Sequence, residues 1–281
     1  MSKLKIGFIG QGFIGKNYAD DFEDRGFNIV RFAKEEPYHQ NKEKIKDCDI
    51  VFIAVPTSTT PKGYDSSIIE DVIPLTGRGK IVVLKSTILP GLTRIIQKKF
   101  ADRIIIHSPE FLSEATARQD ASFPFQNIVG IPNNSAKHKK SAELVLSVLP
   151  KAPYNSIVTS EEAEIIKYTH NCSGYTQILF FNIMYDLAIK LGADWSQIEK
   201  ALHADPYIPN RYSSPVHKSG RGAGGHCFIK DFSALKRTYK KMLRDGIGTK
   251  MLEAMECKNI DLLKKSKKDL DLLKGVYGKK V

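Results

Sequence analysis

The chain has 281 residues, of which 42% are hydrophobic and 26% are charged, and its formal net charge is +12. This length is enough for two cores, no apolar run approaches the roughly 20 residues that cross a bilayer, and the N-terminus lacks the pattern of a secretory signal. The composition therefore excludes a membrane protein and predicts a globular protein of the cytoplasm.

The first half of the chain predicts a doubly wound α/β domain. Lys5 to Ile9 have the pattern of a buried strand, a glycine turn follows, and a helix is predicted to end before Gly26. The segment "FNIVRF" then predicts a second strand. Four later apolar runs, "DIVFIAV", "KIVVLKS", "RIIIHS" and "NIVGI", are predicted to be further parallel strands.

The pattern changes near residue 155. Thr159 and Glu162 have the spacing of a capping box, and the residues after them predict one helix of about 30 residues. The segment "SQIEKALHA" and two charged amphipathic segments after Asp231 predict further helices. Residues 156–281 are therefore predicted to form an all-helical domain.

A glycine motif follows the first strand. Gly10 allows a tight turn, Gly12 lets the backbone approach a pyrophosphate, and Gly15 permits close packing of the helix. The strand, turn and helix around the motif are the context that it requires. We therefore predict a Rossmann-type dinucleotide-binding domain over residues 1–155. The predicted cofactor contacts in the motif are Gly10, Gln11, Gly12, Phe13, Ile14 and Gly15.

The position that selects between NAD and NADP departs from the usual pattern. An acidic residue normally ends the second strand and bonds the adenosine ribose, but this chain has Ala33 there and Lys34 next. Glu35 could substitute for it, or Arg31 and Lys34 could favour a 2′-phosphate. We predict NAD with NADP left open, and we include Lys34 among the cofactor contacts.

The four cysteines and the positive charge exclude further classes of protein. Cys48, Cys172, Cys227 and Cys257 are far apart and form no C-x-x-C pair, so we expect neither a structural metal nor a disulfide framework. The positive charge is concentrated in the last fifty residues and could attract an anionic substrate. No recognisable motif supports nucleic-acid binding.

A second group of chemically active side chains lies in the C-terminal half. Lys167 and Asn171 are four residues apart on one helix face, and "GAGGHCFIKD" contains Cys227 and Asp231. A nearby lysine or a helix N-terminus lowers the pKa of a thiol, which would make Cys227 a nucleophile. The ordinary alternatives are a solvated lysine and a small buried cysteine, and these residues alone leave both interpretations open.

Six segments follow one another in order between residue 4 and about residue 235: "GFIGQGFIG", "DIVFIAVPTS", "VVLKSTILPG", "SPEFLSEATARQD", "EEAEIIKYTHN" and "GGHCFIKD". Through these segments the sequence resembles the UDP-glucose/GDP-mannose dehydrogenase family, and most closely its UDP-glucose branch. The resemblance implies NAD-dependent four-electron oxidation of a nucleotide sugar, with UDP-glucose to UDP-glucuronate as the first choice. The two alternatives are a two-electron hydroxyacid dehydrogenase, in which Cys227 is structural, and a non-catalytic family member.

The resemblance also implies a role for each matched residue. Cys227 would be the nucleophile and Glu110 the acid/base for hydrolysis, although Glu110 could instead cap a loop. The other implied catalytic residues are Lys167, Asn171, Asp231 and Thr87. The implied cofactor contacts outside the glycine motif are Val55, Thr57, Ser86 and Glu114, of which Ser86 could be only a turn residue. The implied substrate contacts are Phe111, Leu112, Arg211, Lys218, Gly224 and Gly225.

Two departures from the family bear on its partners. The segment between the second strand and "DIVFIAV" is shorter than usual, and nothing follows the last helices where family members add a third α/β domain over the nucleotide. We therefore expect either that two domains hold the substrate or that a separate chain completes the site. The segment "YTQILFFNIMYDLAI" carries more apolar surface than one neighbour would cover, which predicts a homodimer across residues 160 to 191. The resemblance implies the same pairing, a role of the helical domain in substrate binding, and a role of Arg211 in the site of the neighbouring subunit.

Overall fold

The computed structural model describes residues 4–218 and 220–278. The described chain folds into two compact units. The first unit holds the chain up to Thr57 together with Asp65–Lys167, and the second holds Ser58–Tyr64 and the chain from Tyr168 onward. Among the described residues, no helix is both long and apolar enough to cross a membrane.

The strands alternate with helices in the first half of the chain and give way to helices in the second. In chain order the strands are β1 (Lys5–Ile9), β2 (Asn28–Phe32), β3 (Ile50–Ile53), β4 (Ser58–Thr60), β5 (Gly63–Asp65), β6 (Ile81–Leu84), β7 (Ile104–His107), β8 (Gln126–Ile131), β9 (Tyr154–Thr159), β10 (Val216–His217) and β11 (Gly220–Arg221). The α-helices are α1 (Phe13–Asp24), α2 (Ser67–Val72), α3 (Leu92–Lys99), α4 (Ala117–Ser122), α5 (Ala136–Val148), α6 (Ser160–Lys190), α7 (Trp195–Ala204), α8 (Gly225–Met242), α9 (Gly246–Lys265) and α10 (Leu270–Tyr277). Within the described ranges, 3₁₀ helices lie at His39–Asp47, Ile73–Leu75 and Asn210–Tyr212.

The first unit is built on a seven-stranded sheet in the order β2-β1-β3-β6-β7-β8-β9. The first five strands in this order, from β2 to β7, all run parallel to one another. Successive residues of β3 belong to different apolar clusters: Ile50 and Phe52 to one, and Val51 and Ile53 to the other. Both faces of the sheet are therefore buried, which explains why its strands are continuous apolar runs. The predicted Rossmann-type class is confirmed.

The prediction that "NIVGI" is another parallel strand was wrong. β8 runs antiparallel to β7, with His107 opposite Gly130, and β9 is parallel to β8. An apolar run reports burial and not direction, and the only helix between β7 and β8 is the six-residue α4, too short for a usual crossover. β9 was not predicted, because it forms the sheet edge and is only partly buried.

The long helix α6 begins at the predicted capping box. Thr159 N–H donates to Glu162 at 2.7 Å, and Glu162 N–H donates to the Thr159 hydroxyl at 3.4 Å. The helix has 31 residues, which confirms the predicted length. In the first unit, the buried Glu164 accepts hydrogen bonds from the backbone of Gly91 and Thr93 at the start of α3.

The second unit is mainly helical, as predicted, but it also contains short strands. β4 pairs with β5, and β10 pairs with β11. Only the second of these pairs lies within residues 156–281, where it makes the prediction of an all-helical domain wrong in this detail. The rings of Tyr175 in α6 and Phe232 in α8 are stacked with centroids 3.8 Å apart. Leu263 of α9 and Leu273 of α10 belong to a smaller buried cluster with α8. These contacts hold α8, which carries Cys227 in its first turn, within the second unit.

Candidate functional site

Most predicted cofactor contacts follow the carboxyl ends of parallel strands. The glycine motif follows β1, Val55 and Thr57 follow β3, and Ser86 and Thr87 follow β6. Because β1, β3 and β6 are adjacent and parallel, their carboxyl ends meet along one edge of the sheet, where ligands of such folds bind. The first unit therefore brings these residues to one edge.

The glycine motif has the backbone geometry that a bound pyrophosphate needs. Gly10 has φ of +90°, and a Cβ atom there would clash with the carbonyl of Ala54. A Cβ atom at Gly15 would clash with the carbonyl of Gly10, whereas one at Gly12 would meet open space. α1 starts directly after Gly12 with no side-chain cap and no acidic residue in its first turn. The motif therefore fits the phosphates of a dinucleotide at a helix N-terminus.

Buried hydroxyl groups tie together the loops after β3 and β6. Ser86 donates its hydroxyl to the carbonyl of Val55 at 2.7 Å, and Thr57 donates to the carbonyl of Thr87 at 2.9 Å. All four residues are buried. These bonds fix the backbone at the edge of the sheet, and the direct contact of these residues with a cofactor stays a prediction.

Arg31 is engaged by acidic residues of α1. Its guanidinium lies 2.5 Å from Asp20 and 2.6 Å from Glu23, and its side chain is only 10% exposed. Burial alone would lower the pKa of Arg31, but the two carboxylates raise it above the usual value. Because both carboxylates already neutralise this cation, the arrangement argues against Arg31 as the ligand of a 2′-phosphate. Lys34 is exposed.

Glu110 and Lys167 form a buried ion pair in the first unit. Lys167 Nζ lies 2.9 Å from Glu110 Oε1, and each side chain is 4% exposed. The other carboxylate oxygen accepts the backbone N–H of Leu112 at 2.7 Å. Burial alone would raise the pKa of Glu110, but Lys167 and the Leu112 N–H hold it below the usual value. Glu110 is therefore ionised at neutral pH, and it also caps the following loop as the alternative interpretation expected.

A second buried lysine was not among the predicted site residues. Lys85 Nζ donates to Ser108 Oγ at 3.2 Å and to the carbonyl of Pro109 at 3.4 Å, and it lies 4.3 Å from the ring centroid of Tyr18. Burial lowers the pKa of Lys85 to about 7. The signal in the sequence was a single lysine directly after the apolar run of β6, at the edge where ligands bind.

Asn171 and Asp231 lie together in the second unit. The Asn171 amide donates to Asp231 Oδ2 at 2.7 Å, and Lys230 lies 2.6 Å from the other oxygen of this carboxylate. Asn171 and Asp231 are both buried. Asp231 therefore fixes the direction of the Asn171 amide.

Cys227 is exposed in the first turn of α8. The N-cap of this helix is Gly224, so Cys227 lies in the first turn, where the N–H groups of a helix N-terminus can stabilise a thiolate. Cys172 differs, because it is buried and its burial raises the pKa of the thiol. Cys172 and Cys227 of the second unit are therefore in contrasting environments, and of these two thiols only Cys227 suits a nucleophile.

The predicted substrate residue Arg211 lies in the 3₁₀ helix Asn210–Tyr212 and is exposed. Gly174 of α6 makes room for this turn, since a Cβ atom there would lie 2.8 Å from the Tyr212 ring and 3.1 Å from Phe228. The rings of Tyr212 and Phe228 have centroids 5.5 Å apart. Gly174, inside the long helix, thus allows the ring of Tyr212, the residue after Arg211, to pack against α6.

The predicted catalytic set is divided between the two units. Glu110, Thr87 and Lys167 belong to the first unit. Asn171, Cys227 and Asp231 belong to the second. Glu110 is paired with Lys167, and Asn171 with Asp231, so each unit orients part of the set internally. The assembly of all six into one site stays a prediction, as do the substrate roles of Phe111, Leu112 and the glycines before Cys227.

The fold and the site define a chain in which a dinucleotide-binding sheet precedes a helical unit with an exposed thiol. Residues 36–147 match the NAD binding domain of the UDP-glucose/GDP-mannose dehydrogenase family, and residues 161–260 match the central domain of the same family. The two matches span most of the chain. The chain belongs to the UDP-glucose/GDP-mannose dehydrogenase family, as the resemblance had indicated.

Individual relatives agree with this assignment. The UDP-glucose 6-dehydrogenase of Campylobacter jejuni is 32% identical over 215 residues, covering 74% of this chain and 53% of that protein. The enzyme of the same name from Rickettsia bellii is 28% identical over 222 residues, covering 76% of this chain and 49% of that protein. The chain thus spans about half the length of these curated relatives. A UDP-glucose dehydrogenase structure from Pyrobaculum islandicum shares the fold, with a TM-score of 0.79, 23% identity, and coverage of 92% of this chain and 68% of that one.

Proposed function

We propose that this chain provides the cofactor-binding and catalytic parts of an NAD-dependent nucleotide-sugar dehydrogenase. The observation that carries the proposal is the environment of Cys227, an exposed thiol in the first turn of α8, on the helix whose buried Asp231 orients Asn171. The family match and the open glycine motif support NAD as the cofactor. UDP-glucose is the first choice of substrate because relatives bear that name.

The proposed reaction oxidises the C6 alcohol of the sugar to a carboxylic acid. NAD supplies the hydride acceptor for two successive transfers. The first transfer, with loss of the hydroxyl proton, leaves an aldehyde. The Cys227 thiolate forms a bond to C6 of the aldehyde, and the adduct loses the second hydride to become a thioester. Water then attacks C6, the carbon–sulfur bond breaks, and the acid and the thiolate are released.

The other residues act on charge and protons in these steps. Glu110, which Lys167 keeps ionised, would accept a proton from the attacking water. Lys167 and Asn171 would donate to the substrate oxygen, on which negative charge develops in each step. Asp231 would hold the Asn171 amide in the direction required for that donation.

A two-electron hydroxyacid dehydrogenase is the second candidate, with Lys167 as its acid/base and Cys227 without a chemical role. The position of Lys167, buried beside the carboxylate of Glu110, supports this candidate as well. The exposure of Cys227 favours the four-electron reaction.

The experiment that tests the proposal is a panel of nucleotide sugars assayed for NAD reduction at high substrate concentration, with the product identified by mass spectrometry. We expect two reduced cofactors per sugar and a uronate product. One reduced cofactor per substrate would favour the two-electron candidate. Cofactor binding without turnover of any nucleotide sugar would contradict both.

A further inference from the structure

The loop before Cys227 is bonded to four side chains that follow much later in the chain. We name these residues, Asn259, Ser266, Lys268 and Asp269, the C-terminal clamp. Asn259 Oδ1 accepts the N–H of Ala223 at 2.7 Å, and its Nδ2 donates to the carbonyl of the same residue at 2.9 Å. Asn259 and Ala223 are buried, so neither backbone group of Ala223 is left to water.

The other clamp residues bond to the loop on both sides of Ala223. Ser266 Oγ accepts the N–H of Arg221 at 3.0 Å. Lys268 Nζ donates to the carbonyl of Gly222 at 3.0 Å. Asp269 Oδ2 accepts the N–H of Gly225, the first residue of α8, at 2.7 Å. The clamp therefore bonds to three consecutive residues before the helix, Arg221 to Ala223, and to Gly225 at the start of the helix that carries Cys227.

The glycines of the loop are explained by the close approach of the clamp. A Cβ atom at Gly220 would lie 2.7 Å from Ser266 Oγ, and one at Gly222 would lie 3.0 Å from Asn259 Oδ1. A Cβ atom at Gly224 would clash with the Asp269 carboxylate. Three glycines thus face clamp residues, and their lack of a side chain lets the clamp reach the backbone of the loop.

We propose that the C-terminal clamp positions Cys227 by fixing the first turn of α8, and that Asp269 is its most important member. The proposal rests on the proposed role of Cys227 as the nucleophile. A helix N-terminus stabilises a thiolate only while its first N–H groups keep their direction, and Asp269 holds the Gly225 N–H two residues before the thiol. Ser266, Lys268 and Asp269 lie beyond residue 260, where the family match ends.

Two substitutions of Asp269 separate its hydrogen bond from its charge. Asp269→Asn and Asp269→Gly both remove the negative charge, and both residues tolerate the φ of +52° found there. Only Asn keeps an oxygen that can accept the Gly225 N–H. A difference between the two variants therefore reports the hydrogen bond. Asp271→Asn, at an exposed position of α10, is the matched control for the loss of one charge.

The measurement is the rate at which iodoacetamide alkylates Cys227, as a function of pH, followed by peptide mass spectrometry. The exposed Cys257 serves as the internal reference in every sample. At neutral pH we expect alkylation of Cys227 in Asp269→Gly to be about fivefold slower than in Asp269→Asn, the factor that one ordinary hydrogen bond contributes. We also expect a higher apparent thiol pKa in Asp269→Gly. Equal rates and equal pKa values in the two variants would overturn the proposal.

A second variant covers the case in which Asp269→Gly does not fold. Ser266→Ala leaves the net charge unchanged and removes the hydrogen bond that Ser266 accepts from the Arg221 N–H. It should slow the alkylation of Cys227 without changing the alkylation rate of Cys257. An unchanged Cys227 rate in this variant would also count against the clamp. The alkylation assay needs no substrate, so it decides the clamp even if the wild-type protein oxidises no nucleotide sugar. A wild-type protein that oxidises no nucleotide sugar would overturn the proposed function and leave the clamp untouched.

Discussion

Lys167 Nζ lies 2.9 Å from Glu110 Oε1, and both side chains are almost completely buried. The two charges therefore depend on each other, because removing one leaves the other in a medium that solvates it poorly. The pair joins the loop after β7 to the long helix α6 within the first unit. A residue pair predicted for catalysis is thus also part of the stability of the fold.

Breaking this pair on one side should destabilise the protein more than removing it on both sides. Glu110→Gln leaves Lys167 unpaired and should lower the free energy of unfolding by about 3 kcal/mol, as is usual for a buried pair that loses one partner. The double variant Glu110→Gln with Lys167→Met should recover part of that loss. Urea denaturation of the single and double variants measures the coupling. Strictly additive losses would show that the two charges do not interact.

Substitution of Cys227 should separate the two oxidations. In Cys227→Ala the first hydride transfer should survive in part, because it does not use the sulfur. Formation of the acid should fall by orders of magnitude, the scale expected for loss of a covalent nucleophile. Single-turnover cofactor reduction with product analysis measures both steps. Cys257→Ala, which removes the other exposed thiol, should behave as the wild-type protein does. Acid formation by Cys227→Ala at the wild-type rate would assign the thiol to structure alone.

Burial of Lys85 predicts a dependence of stability on pH. Its pKa is lowered from 10.5 to about 7 in the folded protein, so the unfolded chain binds more protons between these two values. Its contribution to the free energy of unfolding should therefore rise with pH across this window, by at most about 1.4 kcal/mol per pH unit. In thermal or urea unfolding, Lys85→Met should gain stability relative to wild type as the pH falls from 10 to 7. For the control Lys264→Met, at an exposed position, the difference in stability from wild type should stay constant across this window. A constant difference for Lys85→Met would contradict the prediction.

An exposed apolar stripe on α6 predicts self-association. Phe180, Ile183, Met184 and Leu187 recur at helical spacing and are 57%, 51%, 38% and 50% exposed. A contiguous apolar patch of this kind marks an interaction surface, and a second copy of the chain would cover it. Light scattering should show a dimer at micromolar concentration and a monomer for Ile183→Asp. Ile95→Asp, at an exposed position of α3, should remain dimeric. A monomeric wild-type protein would exclude both the dimer and a role for Arg211 across subunits.

Features governed by local periodicity were predictable from the sequence. The glycine motif, the apolar strands and the capping box of Thr159 and Glu162 depend on residues within one or two turns of each other, and the structure confirms the strands and the cap. The direction of β8 was not predictable in this way, because it depends on the pairing of Gly130 with His107 of β7, a residue distant in sequence. The burial of Lys85 was also missed, since it is determined by Tyr18 and Ser108, which are distant in sequence.

The clamp has a consequence for how this chain can exchange segments with its relatives. The clamp bonds from Asn259, Asp269 and Lys268 join residues that are 36, 44 and 46 positions apart in sequence. A recombination breakpoint placed in α8 would bring the glycine loop from one parent and its supports from another. Such chimaeras should keep their activity only when both parents supply matching residues at the two ends of these bonds. The segment that must be exchanged as one piece therefore runs from Gly220 to Asp269, and it is much longer than the short motif that contains the Cys227 thiol.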